Sequence, residues 1–520
     1  MTQPDSPAPL APAALPCGSA PEGEGGEAHQ AAHAAARSVS AIAFNQIAQV
    51  AGSLLFVAFV PRALGAEVYG QLAFAFALIT LLQMVGELGY QEIFSRFLPE
   101  VRRGQGEAGV FALVRSLFAV RVVVGLALAL VAFLVARLAV PWLTTAQAAL
   151  IAGSVLARVW AMGPFPLLLG LGQTLKWSVE TTWRQIVITG LILVIVRAPS
   201  LTLALAAMTL HEAVFLALGV WWTRSYLRPG DWRLPNLQSP FSAYLKFGFT
   251  FSLANFALVF LFRISPIAVE TFTGSHPQTG YFDLAQGALL LIYTLLGQVA
   301  YAFVPILTQL HLAQQPAEAH AWLGRVVRYS AMLAALAAGG MWAVAEPVAP
   351  LLFGEGFSAA AEAIRMMAFG LLPVPVAWAG VLLSAVDKRP RRKLWAALLG
   401  VAAFFAAVPF VRGDGAAGFA LAFALALLGY AVGFGRGALE ALRAGGRGWV
   451  MATLGALLFV PLVFSRFASL PLALSAWAGL ALVYTLVMLA TRAAALGEVR
   501  AVLSAFRRRR IAERKPAPAP

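Results

Sequence analysis

The sequence has few charged residues for its length and a single cysteine. Only 12% of its 520 residues are Asp, Glu, Lys or Arg, about half the share found in soluble domains. This shortage excludes a soluble enzyme and a soluble nucleic-acid-binding protein. The lone Cys17 excludes a disulfide framework and a cysteine-ligated metal site. The sequence has no G-x-x-x-x-G-K-[ST] motif, so we expect no phosphate-binding loop and no ATP hydrolysis. We predict no metal, no cofactor and no nucleic-acid partner.

The sequence is rich in long apolar runs. Hydrophobic residues make up 60% of the chain, and runs of about 20 residues recur, each long enough to cross a ~30 Å hydrocarbon core as a helix. We predict an all-α polytopic membrane protein with about 14 transmembrane helices. Twelve remains an alternative, because closely spaced spans can be miscounted. The predicted spans are 39–60, 71–94, 110–136, 147–171, 178–196, 200–222, 244–268, 281–304, 326–345, 360–386, 394–411, 417–439, 450–466 and 470–491.

Basic residues are concentrated in alternate loops. The net charge is +15, and with the N-terminus inside, the inner segments carry about 26 Lys and Arg against about 5 in the outer segments. This asymmetry predicts that both termini are cytoplasmic. It also explains the positive net charge as a consequence of topology. Residues 1–37 are rich in Pro, Ala, Gly and Glu and predict a disordered tail, and residues 492–520 form a basic tail.

A weak internal repeat indicates the domain organisation. Tyr69-Gly-Gln-Leu-Ala73 in the second span is similar to Tyr281-Phe-Asp-Leu-Ala285 in the eighth. Transporters are commonly built from two similar halves. We therefore predict two six-helix lobes, at residues 38–223 and 241–440, with two extra C-terminal helices at 450–491.

Residues 45–100 carry motifs that resemble a known family. The motifs are Pro61-Arg-Ala-Leu-Gly65, Glu67-Val-Tyr-Gly70 and Arg96-Phe-Leu-Pro-Glu100. They resemble the N-terminal signature of Wzx-type polysaccharide flippases, members of the multidrug/oligosaccharidyl-lipid/polysaccharide exporter superfamily. The resemblance extends over about 38–440. One departure is that family members often show an Asp-Arg pair in the seventh span, whereas here Phe262 precedes Arg263.

The resemblance implies a function and a location. It implies that the chain turns an undecaprenyl-diphosphate-linked oligosaccharide across the bacterial cytoplasmic (inner) membrane by alternating access, for a surface polysaccharide such as lipopolysaccharide O-antigen. Polysaccharide polymerase and glycosyltransferases would be partners, H⁺ or Na⁺ a coupling ion, and the chain would not be an enzyme. One alternative is a cation-coupled multidrug exporter of the same superfamily. Another is a membrane glycosyltransferase or polymerase, which the short loops disfavour.

Deeply placed arginines are the first candidates for substrate binding, because ionisable groups inside spans are costly and commonly functional. Arg158 lies near the middle of the fourth span, with Arg121 in the third and Arg184 in the fifth. A guanidinium binds phosphate oxygens in a bidentate manner, so we predict that these three bind the diphosphate. The alternative is that each pairs with an acid such as Glu180 or Glu212.

Other polar residues in the spans are weaker candidates for substrate binding. Arg62 stands at the outer end of the first span within a family-like motif, and Arg263 lies near the end of the seventh, where its side chain could reach the interface. Asn45 and Asn255 occupy comparable depths in the first and seventh spans. They could bind sugar hydroxyls or join helices to one another.

Membrane carboxylates are the candidates for ion coupling. We predict Glu87, Glu212 and Asp283 for this role, because a carboxylate within a span can take up a proton or bind Na⁺. Separately, Gly163-Pro164-Phe165-Pro166 in the fourth span predicts a helix break just beyond Arg158.

Overall fold

The computed structural model describes residues 24–491 and 493, except 88, 228–240, 302, 388 and 468. Over these residues all regular structure is helical and no strand occurs, which confirms the predicted all-α fold class. The helices are α1 (Glu24–Val85), α2 (Tyr90–Leu138), α3 (Thr145–Ala161), α4 (Pro164–Gly170), α5 (Thr174–Arg197), α6 (Leu201–Thr223), α7 (Phe241–Thr273), α8 (His276–Tyr301), α9 (Val304–Leu312), α10 (Pro316–Phe353), α11 (Ala360–Ala368), α12 (Val374–Val386), α13 (Pro390–Val411), α14 (Gly415–Val432), α15 (Arg436–Gly455), α16 (Val460–Phe464) and α17 (Leu470–Ala490).

Many of these helices are long and apolar enough to cross a membrane. In the described part of the chain there are nine such helices, or ten if the bent pair Ala360–Leu371 and Val374–Val386 counts as one span. One of the nine, Ala51–Leu138, has 88 residues, far more than the ~20 of a single crossing. It is interrupted at Gly65 and Gly106, which have φ of 73° and 64°. The polytopic membrane fold is confirmed, and the number of about fourteen spans stays a prediction.

Helix α5 is long enough to span but has only a short apolar stretch, Ile186–Ile195. Its first half carries Lys176, Glu180 and Arg184. Charged side chains in hydrocarbon need partners within the protein. The composition of α5 therefore requires neighbouring helices to supply opposite charges.

The predicted break in the fourth span is confirmed. Helix α3 ends at Ala161 and Pro164 is the first residue of α4. The Gly163 N–H donates to the Trp160 carbonyl at 3.3 Å, whereas a continuous helix would direct it to Val159. The Val159 carbonyl is therefore released from the helix and needs another donor.

The N-terminal half (α1–α6) and the C-terminal half (α7–α17) meet closely where α1 crosses α8. A methyl group on Gly70 would overlap the backbone carbonyl of His276, so a side chain there would push the two helices apart. The two copies of the repeated motif lie at this crossing. Their tyrosines, Tyr69 and Tyr281, each place the ring centroid 5.9 Å from that of Phe357, in edge-on geometry.

The predicted domain boundaries are only partly covered by the structure. Residues 1–23 and, apart from residue 493, the basic tail 492–520 lie outside the described residues. The helix α1 begins at Glu24, inside the tail predicted to be disordered. The division into lobes at 38–223 and 241–440, with extra helices at 450–491, stays a prediction.

Candidate functional site

Arg121 is almost completely buried and bonds to backbone carbonyls. Its exposed fraction is 1%, and its two terminal nitrogens donate to the carbonyls of Val159 at 2.9 Å, Gly86 at 3.1 Å and Glu87 at 2.9 Å. These carbonyls lie where α3 and α1 end, so the guanidinium faces the negative ends of two helix dipoles. Its central carbon lies 3.6 Å from the centroid of the Tyr90 ring. Arg121 thus supplies the donor that the released Val159 carbonyl requires.

Arg158 and Arg184 belong to a four-residue ion network. Arg158 Nη1 lies 2.6 Å from Glu180 Oε1 and 4.0 Å from Glu212 Oε2. Arg184 makes two hydrogen bonds to Glu212, of 3.1 and 2.9 Å. The network joins α3, α5 and α6, and its four formal charges sum to zero. Glu180 and Arg184 of α5 therefore find their partners on the neighbouring helices α3 and α6. For Arg158 and Arg184, the structure shows the pairing with Glu180 and Glu212 that the sequence analysis gave as the alternative.

A cavity of about 410 Å³ lies between the two halves. Its polar residues include Tyr69, Arg263, Asp283 and Gln286, contributed by α1, α7 and α8. Tyr69 Oη donates a hydrogen bond of 2.7 Å to Asp283 Oδ2, and so connects the halves. The other lining residues are mainly apolar: Phe56, Val57, Leu72, Ala73, Phe76, Ile188, Met208, Leu284, Leu290 and Leu291. Such a cavity suits an amphipathic ligand.

Arg263 differs from the other buried arginines of the described chain. Its guanidinium carbon lies 4.9 Å from the centroid of the Phe76 ring, and its buried Nε has no hydrogen-bond partner. Asp283 is the acid that acts on it electrostatically, and within the described residues no carboxylate comes within ion-pair distance of it. By contrast, Arg121, Arg158, Arg184 and Arg365 each bond to a carbonyl or a carboxylate.

The family comparison covers the part of the chain that forms this cavity. The model of a family described as "Polysaccharide biosynthesis protein" matches residues 35–311, which is more than half of the chain. The chain belongs to this family. The match confirms the resemblance to polysaccharide exporters that the sequence motifs indicated. No curated protein sequence matches the chain significantly.

Solved structures with the same fold are membrane transporters and flippases. The inward closed conformation of the lipid II flippase MurJ superposes with a TM-score of 0.64 at 12% identity, covering 86% of this chain and 97% of that one. An inward-facing multidrug resistance MATE family transporter of the MOP superfamily gives 0.59 at 14% identity, with 77% and 95% covered. An outward-facing MATE transporter gives 0.54 at 15% identity, with 79% and 96% covered. At these low identities, the TM-scores establish a shared fold alone.

The residues predicted for the site lie in several separate places in the structure. Arg263 and Asp283 line the cavity, whereas Arg62 is exposed and lies beside Gly354. Glu87 lies in the turn between α1 and α2, and Glu212 belongs to the ion network. The side chains of Asn45 and Asn255 lie outside the described residues. No group of three or more His, Cys, Asp or Glu in the described chain could hold a metal ion.

The sequence analysis placed Arg263 near the end of the seventh span, at residue 268. Helix α7 continues to Thr273, and Arg263 lines the cavity. Tyr69 was not predicted as a site residue at all. The repeated motif that contains it was the available signal.

We expect Arg121→Ala to destabilise the fold. The buried carbonyls of Val159 and Gly86 would lose their donor, whereas the Glu87 carbonyl keeps the Tyr90 N–H. Each unsatisfied buried group costs about 1–3 kcal/mol, so the free energy of unfolding should fall by about 2 kcal/mol or more. The measurement is the thermal melting temperature of the purified protein in detergent. Arg137→Ala is the control, because Arg137 is exposed at the end of the same helix. An unchanged melting temperature for Arg121→Ala would contradict this role.

We expect Arg184 and Glu212 to behave as a structural pair. Glu212→Gln alone leaves a partly buried guanidinium without its acid and should cost about 2–3 kcal/mol, and the double variant Arg184→Gln/Glu212→Gln should recover most of that loss. Melting temperature and transport are measured together, and we expect transport to follow stability. A stable double variant that no longer transports would instead assign Arg184 to the ligand, as the sequence predicted.

Proposed function

We propose that this protein flips a prenyl-diphosphate-linked oligosaccharide, of the undecaprenyl type, across the bacterial cytoplasmic membrane during synthesis of a surface polysaccharide. The family and the fold support a membrane flippase or exporter. The observation that carries the finer proposal is the guanidinium of Arg263, which lines the cavity between the halves without a carboxylate at ion-pair distance among the described residues. A cationic group of this kind can bind a diphosphate oxygen.

The physical task is to move a polar head group through hydrocarbon. Each hydroxyl or charge that loses water without a new partner costs several kcal/mol. The polar end of the cavity, with Arg263, Tyr69 and Gln286, offers hydrogen-bond partners. A cavity of about 410 Å³ has the size of a small-molecule site. It can hold the diphosphate region, so a longer glycan must extend beyond it.

The apolar wall of the cavity supports a lipid-linked ligand over a free sugar phosphate. It includes Phe56 and Val57 of α1 and Leu290 and Leu291 of α8. Apolar side chains of this kind are suited to the first isoprenoid units. The rest of the prenyl chain can stay in the bilayer, where it needs no protein partner.

A cation-coupled drug exporter is the second candidate, and Asp283 is the observation that favours it. A carboxylate in the cavity could bind a cationic drug. However, Asp283 already accepts a hydrogen bond from Tyr69, and the positive charge of Arg263, which lines the same cavity, opposes a cationic ligand. We therefore prefer the anionic ligand, because Arg263 has no carboxylate within ion-pair distance among the described residues.

Ion coupling and protein partners follow from the proposed reaction. Glu212, Glu87 and Asp283 are the carboxylates that could carry H⁺ or Na⁺, and of these Asp283 lies in the cavity. Arg158 and Arg184 remain candidates for a transient phosphate contact during opening. Enzymes that assemble and polymerise the glycan, glycosyltransferases and a polymerase, would act before and after the flipping step. With the N-terminus in the cytoplasm, both termini face the side on which the substrate is made.

We expect Arg263→Gln to reduce flipping about tenfold or more. Losing one charge-assisted hydrogen bond to phosphate removes about 1.5–3 kcal/mol, and 1.4 kcal/mol is a factor of ten. The measurement is translocation of a fluorescent undecaprenyl-diphosphate sugar in proteoliposomes. Arg263→Lys, which keeps the charge but not the planar fork, should give an intermediate rate.

Arg137→Gln serves as the matched control, since it removes an exposed guanidinium at the end of α2, a helix that contributes none of the cavity-lining residues. It should transport at the rate of the unmodified protein. Normal binding and transport by a well-folded Arg263→Gln variant would contradict the proposed function. Transport of ethidium with no transport of the lipid-linked sugar would favour the exporter instead.

A further inference from the structure

One end of the cavity is closed by the crossing of α1 and α8. At this crossing Gly70 meets the His276 backbone, and Gly280 on α8 faces the ring of Tyr69 on α1. Substitution of either glycine would bring a side chain into this contact. In the predicted topology this end faces outward. The outward-open state must therefore separate α1 from α8 at this contact.

Within the described part of the chain, two polar side-chain contacts cross this closed end between the halves. Tyr69 Oη donates to Asp283 Oδ2 at 2.7 Å, and His276 Nε2 lies 3.9 Å from Glu67 Oε1. The second contact is long, and the Glu67 side chain is 61% exposed, so water competes for it. The Tyr69–Asp283 bond is shorter, and Tyr69 itself is only 3% exposed. This bond is therefore the stronger polar connection across the closed end.

Asp283 also takes part in the cavity. It lines the same cavity as Arg263, and Arg263 is the cation that acts on it. The Glu67 and His276 side chains are not among the residues that line this cavity. Asp283 is thus the residue through which a charge placed in the cavity can act on the closed end.

We propose that the Tyr69–Asp283 hydrogen bond is a ligand-released latch that holds this end of the protein closed. The proposal rests on the proposed function, because the releasing ligand is an anionic prenyl-linked head group. A phosphate bound to Arg263 places negative charge next to the Asp283 carboxylate, and like charges repel at short range. Phosphate also offers the Tyr69 hydroxyl a second acceptor. Both effects weaken the bond between the halves and favour separation of α1 from α8.

Spin labels at the closed end can test this latch directly. Labels at Thr145→Cys and Thr271→Cys report the distance between the halves, because both residues are exposed and lie at the start of α3 and near the end of α7. Cys17→Ser removes the native thiol. The protein is placed in lipid nanodiscs, and distances are measured by double electron–electron resonance with and without undecaprenyl diphosphate.

We expect Tyr69→Phe to raise the population with a long distance about tenfold in the absence of added lipid, as loss of a hydrogen bond to a charged acceptor predicts. Tyr281→Phe is the matched control. It removes a hydroxyl from the same end of α8, but that hydroxyl bonds to the Gly356 carbonyl at 3.0 Å within the C-terminal half. Its distances should match those of the unmodified protein. Gly70→Ala places a methyl group against the His276 backbone and should push α1 and α8 apart. The label-to-label distance in this variant therefore serves as the reference for the separated state.

The outcomes separate the latch from the proposed ligand. If Tyr69→Phe keeps the closed distances while Gly70→Ala shows the long one, the latch proposal is overturned. If Tyr69→Phe opens this end but undecaprenyl diphosphate changes no distance in the unmodified protein, the bond holds the end closed but the ligand does not open it, and the ligand-released latch is overturned. Flipping of the lipid-linked sugar by the unmodified protein then shows separately whether the proposed function holds. If the lipid opens the unmodified protein and not Arg263→Gln, both the latch and its release by a ligand at Arg263 are supported.

Discussion

Hydrocarbon offers no hydrogen bonds, so every charge and every released carbonyl within the spans must find its partner inside the protein. This constraint explains most of the polar interior. The break at Gly163-Pro164 releases the Val159 carbonyl. Arg121 donates hydrogen bonds to this carbonyl and to two carbonyls at the end of α1. The acids of the neighbouring helices neutralise Arg158 and Arg184. Arg263 differs, because within the described residues no carboxylate lies at ion-pair distance from it, and the proposed function assigns that place to the ligand.

The same constraint shapes the contact between the halves. A contact that must open and close cannot contain many buried polar groups, because each would be left unsatisfied when the halves separate. The α1–α8 crossing uses small residues, Gly70 and Gly280, and the aromatic ring of Phe357 between Tyr69 and Tyr281. Close packing of small residues is a common way for membrane helices to associate. Few polar contacts then need to break, and of the two described here the Tyr69–Asp283 bond is the shorter and less exposed.

Much of the fold could be predicted from the sequence, and less of the site. Apolar length and proline position are local properties, so the helical class and the break before Pro164 were predictable. Depth in a span does not show which arginines have acidic partners, because pairing depends on helices that are distant in sequence. Nothing local indicates that Glu212 on α6 reaches Arg184 on α5. The cavity position of Arg263 was not predictable from hydropathy, which ended its span at residue 268 while α7 continues to Thr273. The internal repeat, by contrast, marked two segments that meet in space.

Charge balance connects the cavity to the question of ion coupling. The formal charges of the cavity residues Arg263 and Asp283 sum to zero, as do those of the four-residue network of α3, α5 and α6. On the proposed function, a diphosphate brings negative charge that these groups leave uncompensated, and charges in a medium of low dielectric constant interact strongly. A proton on Asp283, or a cation that enters with the ligand, would reduce this excess of negative charge. On the two proposals together, Asp283 holds the closed end through Tyr69 and makes ligand binding dependent on a positive ion.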